Sequence, residues 1–536
     1  MGKVQQYLLA ILLAAAAIPG WGQKFYPDDP LWKEPPPLPV ARAKPLDISL
    51  DYDFFRETFF EPDQQEIKQH RPCPSQAINT LGEVPDSSWF TNRIGTRPMS
   101  LEELVRGPGT SNSPAMDKPW VVLSGKNQGI TPGLVVRDSR GRKYFLKFDP
   151  KTNPEMASAS DVIGSKFLYD LGYFTPENYI VTFARAQLLV NEESHYKDAA
   201  GKDHPMTDWD VDNILKKVPR DKNGRYRGMA SFNIAGALLG PHLYYGTRAD
   251  DPNDTVPHEN RRDQRGLYVF YAWLNHTDAK AINSMDSLVE ENGLRYVKHF
   301  LLDFGDILGS DSDTPKAPWR GHVYAFQLRP ALAQFATLGL YVPPWETAHF
   351  PAIPEIGNFD YRTFDPGRWH SNYPNPAFDL RTPGDTYWAA KKLMAFSGQA
   401  IRAIVETGQY SDSRAVNWAT RCLIERRDKI GRAFFADVLP LDNFQVRNGE
   451  LVFDDLAVVY GFSNPRAYTV QWSVFDNRTG TTGPRLSPVS SGSFGLPRSS
   501  ASIIAATIHA DDVSHSVTVY LRGRGVEREV IGIDRS

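Results

Sequence analysis

Four residues in one stretch of the chain carry side chains suited to handling phosphate. Asp278, Lys280 and Asn283 stand in the pattern H-x-D-x-K-x-x-N, opened by His276, and Asp303 begins a D-F-G sequence 20 residues after Asn283. Asn283 and Asp303 offer hard oxygen donors of the kind that hold Mg²⁺. Asp278 is a carboxylate able to accept or orient a hydroxyl proton. Lys280, two residues on, is a cation for phosphate oxygens, and Lys147 closes an upstream strand-like run as a second one. Chemistry of this kind depends on positioning and charge neutralisation more than on covalent catalysis.

Other chemistries lack their residues. None of the 12 histidines falls in an H-E-x-x-H motif, and neither G-x-S-x-G nor G-x-x-x-x-G-K-[ST] occurs. A zinc peptidase, a nucleophile-elbow hydrolase and a P-loop enzyme are therefore disfavoured. The 60 Lys+Arg against 63 Asp+Glu leave a formal charge of −3, with no basic surplus to attract nucleic acid. Lys216, Lys217, Arg220, Lys222, Arg225 and Arg227 form one local basic run, read as a solvated face with an acidic-substrate surface as its alternative.

The elements that must position these side chains follow in order. Residues 120–149 read as two or three strands with a hairpin-like turn over 138–141, and Lys147 ends the last. A helix is predicted from Asn153, as N-cap, through Pro154 and Glu155 to a stop at Gly172. A strand over 179–190 precedes a polar insertion over 191–227, and a helix over 261–275 leads into the H-x-D pattern. Two more helices fit 385–407 and 412–436, the second bounded by Asp412 in front and Pro440 behind. Short strand-like runs after Pro440, broken by Gly, Pro, Asn and Asp, predict a small β-sandwich.

Strand lysine, helix acid, catalytic loop and D-F-G, over residues 120–310, resemble the protein-kinase-like superfamily in its atypical HipA-like, phosphoinositide-kinase-like or secreted-kinase-like branches. The resemblance implies an α+β, two-lobed kinase-like fold that uses ATP and Mg²⁺. It implies that Asp278 orients the attacking hydroxyl, that Lys280 reaches the γ-phosphate, and that Asn283 and Asp303 hold the metal. Lys147 would hold the α- and β-phosphates, oriented by an acid on the next helix, Asp161 first and Glu155 second. Gly125, Gly129 and Gly133 would cover the phosphates, although a hairpin tip accounts for the same glycines. No A-P-E motif follows the D-F-G.

Residues 1–23 read as a cleaved signal peptide: Lys3 is followed by an apolar run over 7–18, too short to span a bilayer. The protein is therefore expected to be secreted or periplasmic. In that compartment its two cysteines, Cys73 and Cys422, are free to pair. The expected organisation is a Pro-rich N-terminal segment over 24–100 that wraps a core, an N-lobe over 101–190, a C-lobe over 191–440 and an Ig-like β-sandwich over 441–536. The function expected is an exported phosphotransferase acting on a hydroxyl of a protein, glycan or small molecule. The alternative is a pseudokinase-like scaffold of the cell envelope that engages a partner through its C-terminal domain.

Overall fold

The computed structural model describes residues 23–48, 56, 73–125, 132–198, 202–325, 329–338, 340–487, 489–492 and 494–536. The expected signal peptide, apart from Gln23, and Gly129 lie outside the described residues. No helix among the described residues is long and apolar enough to cross a membrane. Helices and sheets are mixed in an α+β arrangement, and the chain forms two compact units. Of the described residues, one comprises those within 33–78 and 84–437; the other comprises those within 23–32, 79–83 and 438–536.

The larger unit is built on an eight-stranded sheet. Its strands are β1 (Trp120–Gly125), β2 (Gly133–Arg137), β3 (Lys143–Lys147), β4 (Asn178–Phe183), β5 (Leu188–Leu189), β6 (His195–Lys197), β7 (Asp203–Pro205) and β8 (Tyr226–Phe232). They run in the order β4-β8-β3-β2-β1-β6-β7, with β5 beside β1. Trp120, Val122, Leu134, Val136, Tyr144 and Leu146 fill a core on one face. The two-residue period of a strand then sends Phe145 and Lys147 to the opposite face.

The polar insertion takes a different form from a solvated excursion. Residues 191–227 add β6 and β7 to the sheet edge, and the Asp208–Leu215 helix seats Val211 and Leu215 in the same core. The segment ends inside β8, the strand between β4 and β3. Its apolar residues are too widely spaced among Lys and Asp to stand out in the sequence. The basic run is partly spent internally: Arg227 donates to the Gly408 and Gln409 carbonyls at 2.6 and 2.9 Å, and Arg225 pairs with Asp221 at 2.9 Å.

The helix expected from Asn153 begins later, at Met156, and ends at Leu171 before Gly172. Asn153 does not cap it. Instead Asp149 accepts the Ser158 backbone N–H at 2.8 Å and its hydroxyl at 2.6 Å, satisfying a first-turn donor from outside the helix. Gly172 has φ +126°, and a Cβ there would lie 2.2 Å from the Phe90 ring, so only glycine closes this helix. Near its end Asp170 is fully buried, with neither carboxylate oxygen hydrogen-bonded among the described residues. Burial pushes this carboxyl up to about 8, against the lowering effect of Arg93 and Lys166. The native state therefore keeps a proton that the unfolded chain releases near pH 4, and stability falls as pH rises from about 4 to about 8. Asp170→Asn is expected to flatten that decline in urea melts at pH 5 and pH 8. An unchanged slope would show that Asp170 is ionised in the fold.

The strand β9 (Ala237–Gly240) pairs with β10 (Ser284–Glu291), which pairs with β11 (Leu294–Leu301). The Arg262–Leu274 helix lies between β9 and β10 in the chain and is buried along nearly its whole length. The helix expected over 385–407 is two, Pro383–Met394 and Gly398–Glu406, because Ser397 accepts the Ala400 N–H and starts a new N-terminus. The Ser413–Ala436 helix has Asp412 as its cap. Cys73 and Cys422, free to pair by the sequence reading, do not pair; both are free thiols. Cys422 is fully buried on that helix, its sulfur 3.7 Å from the Phe359 carbonyl, while Cys73 is bonded through its carbonyl to Arg265.

In the smaller unit, β14 (Tyr468–Asp476), β15 (Thr481–Arg485), β16 (Ser490–Ser491), β17 (Ile503–Ala510), β18 (Val513–Arg524) and β19 (Glu527–Arg535) form one sheet, ordered β15-β14-β17-β18-β19 with β16 beside β14. The hairpin of β12 (Leu441–Arg447) and β13 (Glu450–Asp455) covers one face, with Leu441, Phe444 and Leu451 against Val470, Trp472 and Ile504. Phe25 covers the other, packed on Phe475 and Tyr520. The expected Ig-like sandwich is thus replaced by one meandering sheet whose second layer is a single hairpin. The Pro-rich segment over 24–100 is not one piece either: residues up to 32 and 79–83 belong to this unit, and the rest to the larger one.

Candidate active site

Three elements bring their charged residues to one point. Lys147, at the end of β3, places Nζ 3.4 Å from Asp161 Oδ2 and 2.6 Å from Asp303 Oδ1. Asp161 lies on the Met156–Leu171 helix, and its other oxygen accepts the Phe304 backbone N–H at 2.9 Å. The helix approaches the D-F-G closely because of Gly164, where a Cβ would stand 2.5 Å from Phe304 Cβ. Asp303 takes φ 56°, a left-handed conformation that Asp tolerates better than most residues. Glu155, the second candidate for the helix acid, accepts the Ser411 N–H and does not meet Lys147.

Exposure grades across this trio. The Asp161 side chain is 2% exposed, Lys147 21% and Asp303 41%, so Asp303 faces solvent from a buried base. Burial works against the Lys147 ammonium, but the two carboxylates override it and hold its pKa above the ordinary range. Burial pushes the Asp161 carboxyl up, to about 6, although Lys147 pulls it down; the nearby Asp303 charge adds to the rise.

The second group stands on the loop after the Arg262–Leu274 helix. Asn275 ends that helix with φ 55°, and Arg426 donates to the helix-terminal carbonyls of Ala272 and Trp273 at 2.5 and 2.9 Å. Lys280 Nζ lies 2.7 Å from Asp278 Oδ1. Burial opposes the Lys280 charge, yet Asp278 raises its pKa above the ordinary value. Asn283 Nδ2 donates to the Asp278 backbone carbonyl at 2.8 Å and to Asp278 Oδ2 at 2.9 Å. Two acceptors fix the amide orientation and leave its Oδ1 as a hard ligand oxygen.

The β10–β11 hairpin joins the two groups. Ser284 faces Leu301 across it, and the Leu302 N–H donates to the Asn283 carbonyl at 2.8 Å, so Asn283 sits one step from Asp303. A cleft of ≈ 1170 Å³ opens above Lys147, Asp161 and Asp303; Asp278, Lys280 and Asn283 are not among its lining residues. Val135, Phe145, Met229, Ile282, Met285 and Leu302 give it an apolar wall, and Lys147, Asp161 and Asp303 a charged end. Gly125 lines the cleft as well, but the space a Cβ would need there is bounded by Ile214 and Met206 at 3.2 and 3.6 Å.

Two residues outside the sequence-based set hold the loop. Asp306 Oδ2 accepts the Asp278 backbone N–H at 2.9 Å and the Thr277 hydroxyl at 3.2 Å, with His276 Nδ1 3.5 Å away. Its other oxygen pairs with Lys316, which also donates to Thr277 at 2.9 Å. Burial alone would raise the Asp306 carboxyl; Lys316 overrides it and holds it well below the usual carboxylate range. Asp306 extends the D-F-G to D-F-G-D, a signal present in the sequence; Lys316, ten residues on, has none.

No protein-family model matches the chain, and no curated protein matches it. Among solved structures it is similar to one described as the crystal structure of the Golgi casein kinase, with 9% identity and a TM-score of 0.29. The match covers 76% of this chain and 96% of that one. Overlap at that level assigns no residue a role, and the site rests on its own geometry.

Proposed function

We propose that the protein is an exported, kinase-like phosphotransferase that moves the γ-phosphate of ATP to a hydroxyl acceptor. The observation that carries this is the Lys147 ammonium set between Asp161 of the helix and Asp303 of the D-F-G, at the charged end of an apolar cleft. The apolar wall suits a purine, and Lys147 suits the phosphates next to it. Asn283 Oδ1 and the half-exposed Asp303 carboxylate are the oxygens that would hold Mg²⁺, which neutralises phosphate charge when bound. Asp278, held by Lys280 and Asn283, orients the acceptor hydroxyl. Lys280, already charged and beside Asp278, turns towards the transferred phosphoryl group.

Saturating Mg-ATP, at about 100 times its dissociation constant, is expected to stabilise the full chain by about 2.7 kcal/mol, read as a rise in thermal midpoint. Incubation with γ-labelled ATP and hydroxyl-bearing acceptors is expected to transfer label from wild type and not from Asp278→Ala. Equal transfer by both sinks the assigned role. A thermal shift without transfer to a protein, glycan or small-alcohol acceptor favours the nucleotide-binding scaffold instead.

A further inference from the structure

The hairpin that carries Asn283 and Asp303 also carries a buried cluster with a separate chemistry. Asp286 of β10 and His299 of β11 face each other across the strands. His242, two residues past β9, is tied to the same hairpin by its N–H to Ser284 Oγ at 2.9 Å. His242 Nδ1 and His299 Nδ1 lie 3.1 and 2.7 Å from one oxygen, Asp286 Oδ1. One ligand atom from each of the three residues lies within 4.8 Å of the other two. All are buried, at 3% (His242), 1% (Asp286) and 3% (His299) exposure. The Trp89 ring closes the site, stacked on His299 at 3.5 Å and edge-on to His242 at 5.0 Å.

Hydrogen bonding accounts for this arrangement poorly. If both rings donate from Nδ1, the single oxygen Asp286 Oδ1 accepts twice, at 3.1 and 2.7 Å. Asp251, Asp254 and Asp286 are all at most 5% exposed; His258 pairs with Asp254 at 2.8 Å, while Asp251 Oδ2 has no hydrogen-bond partner among the described residues. The guanidinium on Asp286 Oδ2 is Arg248, at 3.2 Å, and it is shared with Asp250 at 2.9 Å. Two imidazoles and a carboxylate form a common ligand set for zinc, whose tetrahedral bonds of about 2.1 Å place ligand atoms about 3.4 Å apart. The two distances from Asp286 Oδ1 are shorter than that by about 0.3 and 0.7 Å, and all three ligand atoms lie within 4.8 Å of one another.

We propose that His242, Asp286 and His299 bind one divalent transition metal, zinc by ligand type, as three of its four ligands, which pins the β10–β11 hairpin to the segment after β9. On binding, each imidazole shifts its proton from Nδ1 to Nε2, so the rings stay neutral and no proton is released. The metal's two positive charges offset the buried carboxylates. The site shares a hairpin with the nucleotide cleft but none of its residues, so its failure and that of the phosphotransferase reading are distinguishable.

The test uses the full chain, purified without chelator or affinity histidines. Elemental analysis is expected to find about one zinc per chain. Chelation is expected to lower the thermal midpoint by several degrees, and added zinc to restore it. His299→Gln and Asp286→Asn are each expected to lose the metal, and Asp303→Asn to keep it. Should those variants not fold, cobalt added to the chelated wild type reads the ligands directly: an intense tetrahedral absorption supports the site. A weak, octahedral, all-oxygen spectrum overturns it. So does failure of the chelated wild type to take up zinc or cobalt, or metal retained by both cluster variants.

Discussion

Replacing Asp303 with Asn is expected to lower phosphoryl transfer by about 10³-fold, and Lys147→Met by a similar factor, the range that loss of one pre-placed charged or donor group costs. Asn keeps the shape of Asp303 and its left-handed backbone while removing the charge that faces solvent. The loss then falls on the chemical step and on Mg²⁺ dependence, with little change in folding. Lys147→Met acts differently. It leaves Asp161 buried and Asp303 close by with no cation between them, so affinity for nucleotide falls along with the rate. Single-turnover label transfer at rising Mg²⁺, beside a thermal melt of each variant, separates the two effects. A rate within tenfold of wild type for Asp303→Asn would remove it from the metal set.

Lys316→Met is expected to destabilise the larger unit by about 3–5 kcal/mol, the usual result of leaving one member of a buried ion pair unpartnered. The Lys316 side chain is 1% exposed and Asp306 8%, so water cannot replace the lost contact. The double variant Lys316→Met/Asp306→Asn is expected to recover part of that loss, because the remaining amide carries no charge and still accepts from the Asp278 and Thr277 donors. Denaturant melts of the single and double variants read this directly. A pH series adds the sign. The depressed Asp306 carboxyl contributes stability that is full above its unfolded value near pH 4 and is lost as pH falls below it. Wild type is therefore expected to lose stability below about pH 4 more steeply than the double variant.

Much of the candidate site is legible in the sequence because its residues sit at element ends that carry their own signals. Lys147 follows a run of alternating residues, Asp303 follows a strand, and Asn283 and Asp303 bracket a hairpin whose pairing brings them together. The choice between Asp161 and Glu155 is different. Both lie near the start of one helix, and which reaches Lys147 depends on where that helix begins. Asp149, two residues past β3, helps set the start at Met156, which leaves Glu155 to bond Ser411.

Residue types and spacing by themselves determined the order of strand lysine, helix acid, loop and D-F-G, and an α+β chain ending in strands. Tertiary structure alone decided what surrounds them: the Asp306–Lys316 anchor, the insertion absorbed as β6 to β8, the two free cysteines, the meandering C-terminal sheet and the His242–Asp286–His299 cluster. The physical reason is range. Alternation, caps and turns act over a few residues and leave a local pattern. Buried ion pairs and imidazole clusters are assembled from residues ten or more positions apart, and only packing brings their side chains within bonding distance.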